Sequence, residues 1–187
     1  MATQTIKWLP STSPNIVAYT ILKSDTGIGG TYTQLTQILN MISGPNWLPA
    51  ENCFFYNDDL VPYRWYQIQV LDQYGNSSAP SAPTPFQAGN APVVTPSLYV
   101  TALTENSGGT NNLQYVTQGG TPIGGATIRV YRKLDWDTKK YSKVVGTAVT
   151  AATGGWAAPV FVEPGETYTI VFEKTYEYGP DRTEITV

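Results

Sequence analysis

Apolar side chains recur at every second position through several short segments of the chain. Ile6 and Trp8 share a face in TIKW, Val17, Tyr19 and Ile21 in NIVAYTIL, and Tyr66, Ile68 and Val70 in YQIQV. Side chains alternate across a strand, so each set is expected to enter one core while Lys7, Thr20, Gln67 and Gln69 face water. Turn signals divide these segments at even intervals: SDTGIGG at 24–30, SGPN at 43–46, NDD at 57–59 and DQYGNSS at 72–78. Short strands so punctuated predict an all-β sandwich. One stretch carries two patterns. Leu35, Ile38, Leu39 and Ile42 have helical spacing ahead of the Gly44-Pro45 stop, whereas a strand over 33–39 is due there topologically and is the preferred reading.

The second half repeats the pattern without repeating the sequence. Ala126, Ile128 and Val130 share a face after the turn at PIGG, Ala148 and Thr150 lead through ATGG to Trp156, and Tyr168, Ile170 and Phe172 alternate after Pro164-Gly165. Between the halves a proline-rich run holds the chain extended and cannot continue a central ladder. The predicted organisation is therefore two tandem β-sandwich domains, 1–85 and 98–187, joined by a linker over 86–97. The loop from Thr104 to Thr121, rich in Gly and Asn, reads as a hairpin tip, with a recognition role as the lesser alternative.

Positions that break the pattern are the candidate contacts. Trp65 alternates with the core set and points off the core face, as does Leu22 on the strand expected beside it. A large rigid ring loses little rotamer entropy on burial, which favours aromatic side chains at interfaces. Trp65 and Leu22 are thus expected to meet a partner, the alternative being that Trp65 packs under its own domain's loop. Trp136, in the Asp135-Trp136-Asp137 turn, is a further candidate contact, against the plainer reading of a solvated hairpin tip.

Composition narrows the chemistry. Apolar residues make up 41% of the 187, enough for real cores, while the charged fraction of 13% is well below an average soluble protein, so much of the surface must be uncharged. A net charge of −3 leaves no footprint for phosphates, and the one basic run, Arg129 to Lys143, is interrupted by Asp135 and Asp137; no nucleic-acid partner is expected. The single Cys53 allows no intrachain disulfide. With no histidine, imidazole metal sites and His-based catalysis are excluded, and no cofactor is expected. Asp58, Asp59 and Glu51, or Glu163 and Glu166, offer paired carboxylates, but acidic residues beside turns are usually solvated turn formers; a Ca2+ site at Asn57-Asp58-Asp59 lacks the required ligand spacing. The expectation is not an enzyme. No signal peptide and no apolar run long enough to span a membrane are read, so synthesis in a host cytoplasm without membrane insertion is expected.

The spacing of Leu60, Pro62, Tyr66, Ile68 and Val70 resembles the last corner and sixth strand of fibronectin type III domains, and the Trp8 strand, Tyr19-x-Ile21, Phe55-Tyr56-Asn57-Asp58 and DQYGNSSAPSAP are similar to that family as well. The resemblance covers about residues 4–83. It implies that Tyr66 is a structural corner residue whose hydroxyl bonds to nearby backbone. It also implies a strand at Thr33 to Leu39 followed by an inserted loop, with Trp47 and Leu48 as an exposed apolar tip between Pro45 and Pro49. The family's usual first strand has little chain to form it here, and an open sheet edge can accept a neighbour's strand.

GGATIRVY, VGTAVTAATGGW and VEPGETYTIVFEK, over about 119–175, resemble the carboxypeptidase regulatory-like group of immunoglobulin-like or transthyretin-like sandwiches, a module that is non-catalytic. Such tandem immunoglobulin-like modules are similar to accessory structural proteins of tailed bacteriophages. The resemblance implies a virion component, such as a head decoration, neck or fibre-attachment protein, present in multiple copies. It would dock on capsid, portal, neck or tail proteins through one sandwich and project the other, with weak host-surface glycan contacts. The competing expectation is a carbohydrate-binding or adhesion module of a bacterial surface protein, with Trp47, Trp136 or tyrosines stacking on sugar rings.

Overall fold

The computed structural model describes residues 3–59, 61, 63–85, 92–110 and 112–187. Strand accounts for 45% and helix for 3%, so the chain is all-β. It divides into two compact units, Met1–Leu98 and Tyr99–Val187. Leu60 and Pro62, on which part of the family spacing rested, lie outside the described residues, as do 86–91 of the expected linker.

In the first unit β1 (Thr3–Trp8), β4 (Trp47–Leu48) and β5 (Cys53–Asp59) form a three-stranded sheet in the order β1-β5-β4. Strands β2 (Ile16–Ser24), β3 (Thr33–Leu39), β6 (Trp65–Asp72) and β7 (Thr84–Pro85) form a four-stranded sheet in the order β3-β2-β6-β7. All these pairs are antiparallel. Ile6, Trp8 and Phe54 from the first sheet meet Tyr19, Ile21, Ile38, Tyr66, Ile68 and Val70 from the second in one buried cluster. Trp8, Tyr19 and Phe54 touch ring to ring at centroid distances of 5.0–6.0 Å.

The alternation holds for β1 and β6 and is interrupted in β2. A bulge between Ile16 and Ala18 shifts the register against β6. Such a bulge adds one residue to a strand and reverses the facing of those beyond it. Val17 is therefore exposed and outside the core set expected for it, while Ile16 packs on the cluster instead. Thr20, expected in water, is buried on the outer face, where its hydroxyl accepts a bond from Gln37 Nε2 at 3.2 Å. The helical alternative at 35–42 does not form; Thr33–Leu39 is β3.

Prolines at 80, 83 and 85 cannot donate to a ladder, and serine hydroxyls replace the missing donors and acceptors along the edge of β6. Ile68 N–H donates to Ser81 Oγ at 2.9 Å and Val70 N–H to Ser78 Oγ at 3.0 Å, while Ser81 N–H and Ser78 N–H donate to Ile68 and Val70 carbonyls. Gln67 and Gln69 tie their amides to the Ser81 and Ser78 carbonyls. Part of the expected linker also belongs to this unit. Val93 pairs in parallel with Trp8, donating to Lys7 C=O and accepting from Leu9 N–H, both at 2.9 Å.

In the second unit β9 (Thr127–Arg132), β10 (Gly146–Val149), β12 (Thr167–Lys174) and β13 (Tyr178–Thr186) form an antiparallel sheet ordered β10-β9-β12-β13, and β8 (Thr101–Leu103) pairs with β11 (Val160–Val162). Ile128, Val130, Tyr168, Ile170 and Phe172 are buried at the alternate positions of β9 and β12. Gly146 allows β10 to approach β11, since a Cβ there would lie 2.6 Å from Val160 Cγ1. The Thr104–Thr121 segment is not a free tip. Leu113 and Tyr115 are buried, Leu113 C=O accepts from Trp156 Nε1 at 3.0 Å, and Tyr115 stacks on Phe172 at 4.9 Å. Burial, then the bond from its hydroxyl to Asp181, pushes the Tyr115 phenol up to about 12.

Candidate docking surface

The outer face of the β3-β2-β6-β7 sheet follows from the pairing register. Residues directly opposite one another share a face, so with the core positions removed the outer face carries Gln34, Gln37 and Leu39 from β3, and Ala18, Thr20, Leu22 and Ser24 from β2. Strand β6 adds Trp65, Gln67, Gln69 and Leu71, and β7 adds Pro85. None of these side chains is charged. Trp65 lies opposite Ser24 and beside Pro85; Leu22 lies one pair along, opposite Gln67. The face thus brings Trp65 and Leu22 together, both half-buried. At its far end Leu39 and, beyond it, Met41 and Ile42 are exposed, as is Val17, whose carbonyl accepts from Asn40 N–H.

An uncharged face is inexpensive to remove from water. Burying an ion costs several kcal/mol unless it is paired, whereas amides and hydroxyls re-form hydrogen bonds across a contact. Depletion of charge with retention of an aromatic anchor is the compositional mark of an interface centre.

The other expected contacts are placed differently. Trp47 and Leu48 are not an exposed tip. They form β4, pairing with Phe54 and Cys53, and the Trp47 indole lies edge-on to Phe54 at 4.9 Å, packed against the core cluster. The flanking prolines shorten the strand, and backbone pairing with β5 turns the ring inward. Trp136 sits not in a turn but on the one-turn helix α1 (Lys133–Asp137), half-buried between Tyr131 at 5.1 Å and Tyr141 at 4.9 Å.

Tyr66 is fully buried, and its hydroxyl engages side chains in place of the expected backbone. It donates to Asp58 Oδ2 at 2.8 Å and accepts from Gln4 Nε2. Arg64 binds the same Asp58 oxygen at 2.6 Å and reaches Asp25 through Nε. A carboxylate held by an arginine offers a stronger acceptor than a carbonyl, which accounts for the exchange of partner. Burial, reinforced by Asp58, raises the Tyr66 phenol well above its ordinary range; the bond from Arg64 holds Asp25 below the usual carboxylate range. Arg64 is raised in turn, chiefly by Asp25.

Two more of the weighed carboxylates are likewise engaged. Glu51 pairs with Lys7 at 2.6 Å and Glu163 with Arg132 at 2.8 Å. Among the described residues no group of three or more acidic, Cys or His side chains is placed to hold a metal, and no helix is long and apolar enough to cross a membrane. No protein-family model matches the chain, and no curated protein matches it closely enough to count as a relative.

Sequence reasoning missed the exposed set Val17, Leu39, Met41 and Ile42. For Leu39, Met41 and Ile42 the signal was present in the helically spaced run at 35–42, which has more apolar residues than one strand face can bury. Its surplus lies outward.

Proposed function

We propose that the chain is a non-enzymatic structural component of a bacteriophage particle, a head decoration, neck or fibre-attachment protein. Its first unit is read as a fibronectin type III-like sandwich and its second as a carboxypeptidase regulatory-like, immunoglobulin-like sandwich. The Trp8-centred cluster between two sheets and the serine-proline strap beside β6 support the first assignment; the alternating β9 and β12 and the Pro164-Gly165 turn support the second. The observation that carries the function is the charge-free sheet face with Trp65 and Leu22 on it. It suits adhesion to capsid, portal, neck or tail proteins, leaving the second unit for further contacts. A stable contact buries about 1,600 Å² in total, more than one small sheet face supplies, but repetition on a symmetric particle converts weak contacts into strong attachment.

The test is co-sedimentation of the purified protein with phage particles assembled without it. Saturable binding supports the reading, and no binding to any assembly stage contradicts it. A second reading, a carbohydrate-binding or adhesion module, is favoured by the Tyr131-Trp136-Tyr141 aromatic group. Binding on a glycan array that is lost in Trp136→Ala, without particle binding, would select it.

A further inference from the structure

Every open sheet contains edge strands, and an unpaired edge is a template for another chain unless something guards it. Most edges here are guarded. Strand β1 carries Lys7, and Val93 occupies its edge at Lys7 and Leu9. Strand β4 has two residues between Pro45 and Pro49, and β7 has two and ends in Pro85. In the second unit β8 and β11 have three residues each and β10 four, while β13 carries Pro180, Asp181, Arg182 and Glu184. Strand β3, TQLTQIL, is different. Among the described strands it is the one edge of more than four residues with no charge, no proline and no covering segment; its one irregularity is a register shift at Leu35, which leaves Thr36 to Leu39 as the regular stretch open to pairing.

The hydrogen-bonding phase shows which groups it offers. Asn40 N–H donates to Val17 C=O, so in an antiparallel ladder Ile38 and Thr36 also turn toward β2, and Gln37 turns its N–H and C=O away. The β6 side of the sheet has the same phase, with Ile68 and Val70 pointing outward to Ser81 and Ser78. On that side serines meet the outward groups; on the β3 side Met41 N–H meets the Leu39 carbonyl at 2.9 Å, and nothing described meets Gln37.

We propose that the β3 edge pairs with the β3 edge of a second copy of this chain, antiparallel across a twofold axis, joining two four-stranded sheets into one of eight. The self-pairing follows from composition. Antiparallel pairing places each side chain against one from the same strand, and a strand without charges opposes no like charges. A twofold contact is also closed, so it yields a dimer and not a fibre. The pairing extends the charge-free face across both copies, with Gln37 near the axis. One strand pair buries less than a standard interface, so the dimer is weak and concentration-dependent. This inference is independent of the phage reading, since it requires only the chain itself.

The test is sedimentation equilibrium of the full chain from about 10 µM to about 1 mM, in low and high salt, the range in which so small an interface should register. The expected result is a monomer–dimer equilibrium insensitive to salt and weakened at least about tenfold in Gln34→Lys/Gln37→Lys, where lysines guard the edge, with Val149→Lys on the β10 edge as the unchanged control. Hydrogen exchange needs no variant: the Gln37 amide should gain protection as the wild-type concentration rises. A monomer throughout the range, a dimer indifferent to the edge lysines, or a Gln37 amide with concentration-independent exchange would overturn the proposal.

Discussion

The two four-stranded sheets of the molecule have similar inner faces and opposite outer ones. In the first unit the outer face bears glutamines, threonine, leucines and Trp65, without a charge. In the second, Arg129, Glu173, Arg182 and Glu184 stand on the outer face. Arg129 pairs with Glu173 at 2.8 Å, Lys133 of α1 reaches Glu184 at 2.9 Å, α1 lies near β9 and β12 with Trp136 on Tyr131, and Tyr131, Thr169 and Val171 are buried on this face. One sheet is roofed by its own chain and ringed with ion pairs; the other is bare and neutral. The difference teaches that low charge in this protein is a local property. It is concentrated where a partner could be accepted with little desolvation cost.

The comparison can be broken first at the buried charge that supports the bare sheet. Asp58→Ala leaves the Tyr66 hydroxyl without its acceptor and the Arg64 guanidinium with Asp25 alone; a loss of about 3 kcal/mol in the first unit is expected, read by chemical denaturation with the second unit's transition unmoved. Next come two of that unit's three tryptophans, Trp47 and Trp65. Trp47→Ala removes a ring packed on Phe54 and should cost about 2–3 kcal/mol, whereas Trp65→Ala, on the outer face, should cost below about 1 kcal/mol; equal costs would erase the distinction between core and contact tryptophan.

In the second unit the roof has a flaw. Thr169 Oγ1 is buried with no hydrogen-bond partner among the described residues, so Thr169→Val should raise that unit's stability by about 1 kcal/mol in the same experiment. The smallest effect is electrostatic. Asp25 has its folded pKa lowered by Arg64, so its contribution is present above the unfolded carboxylate pKa and lost as pH falls through the lower folded value. Below about pH 4 the wild type should therefore lose slightly more stability than Asp25→Asn, by well under about 1 kcal/mol because the carboxylate is half exposed and screened.

Much of the fold was legible because alternation is a direct consequence of strand geometry. Ile6/Trp8, Tyr66/Ile68/Val70 and Tyr168/Ile170/Phe172 all bury as their spacing implies. What escaped was set by tertiary pairing. No local pattern announces the bulge that exposes Val17, and Trp47 between prolines looks like a loop tip until β5 supplies its ladder. The proposed contact surface was half legible. Trp65 and Leu22 follow from parity, but the absence of charge over the whole face emerges only when four separated strands are set side by side. Tyr66 was legible as a core position of β6, while the bonding of its hydroxyl to Asp58 in place of the expected backbone depended on Arg64 arriving from the adjoining loop.

The central proposal is that the neutral face bearing Trp65 and Leu22 serves as a docking surface. Its most direct test is the binding of wild type and Trp65→Arg to phage particles assembled without the protein, at about 0.1 and 0.5 M NaCl, a span that markedly shortens the Debye length. The account predicts wild-type binding that is indifferent to salt and weakened at least about tenfold by the arginine, which brings a charge into a face that has none. Undiminished binding of a folded Trp65→Arg protein, or wild-type binding that collapses in salt, would contradict it.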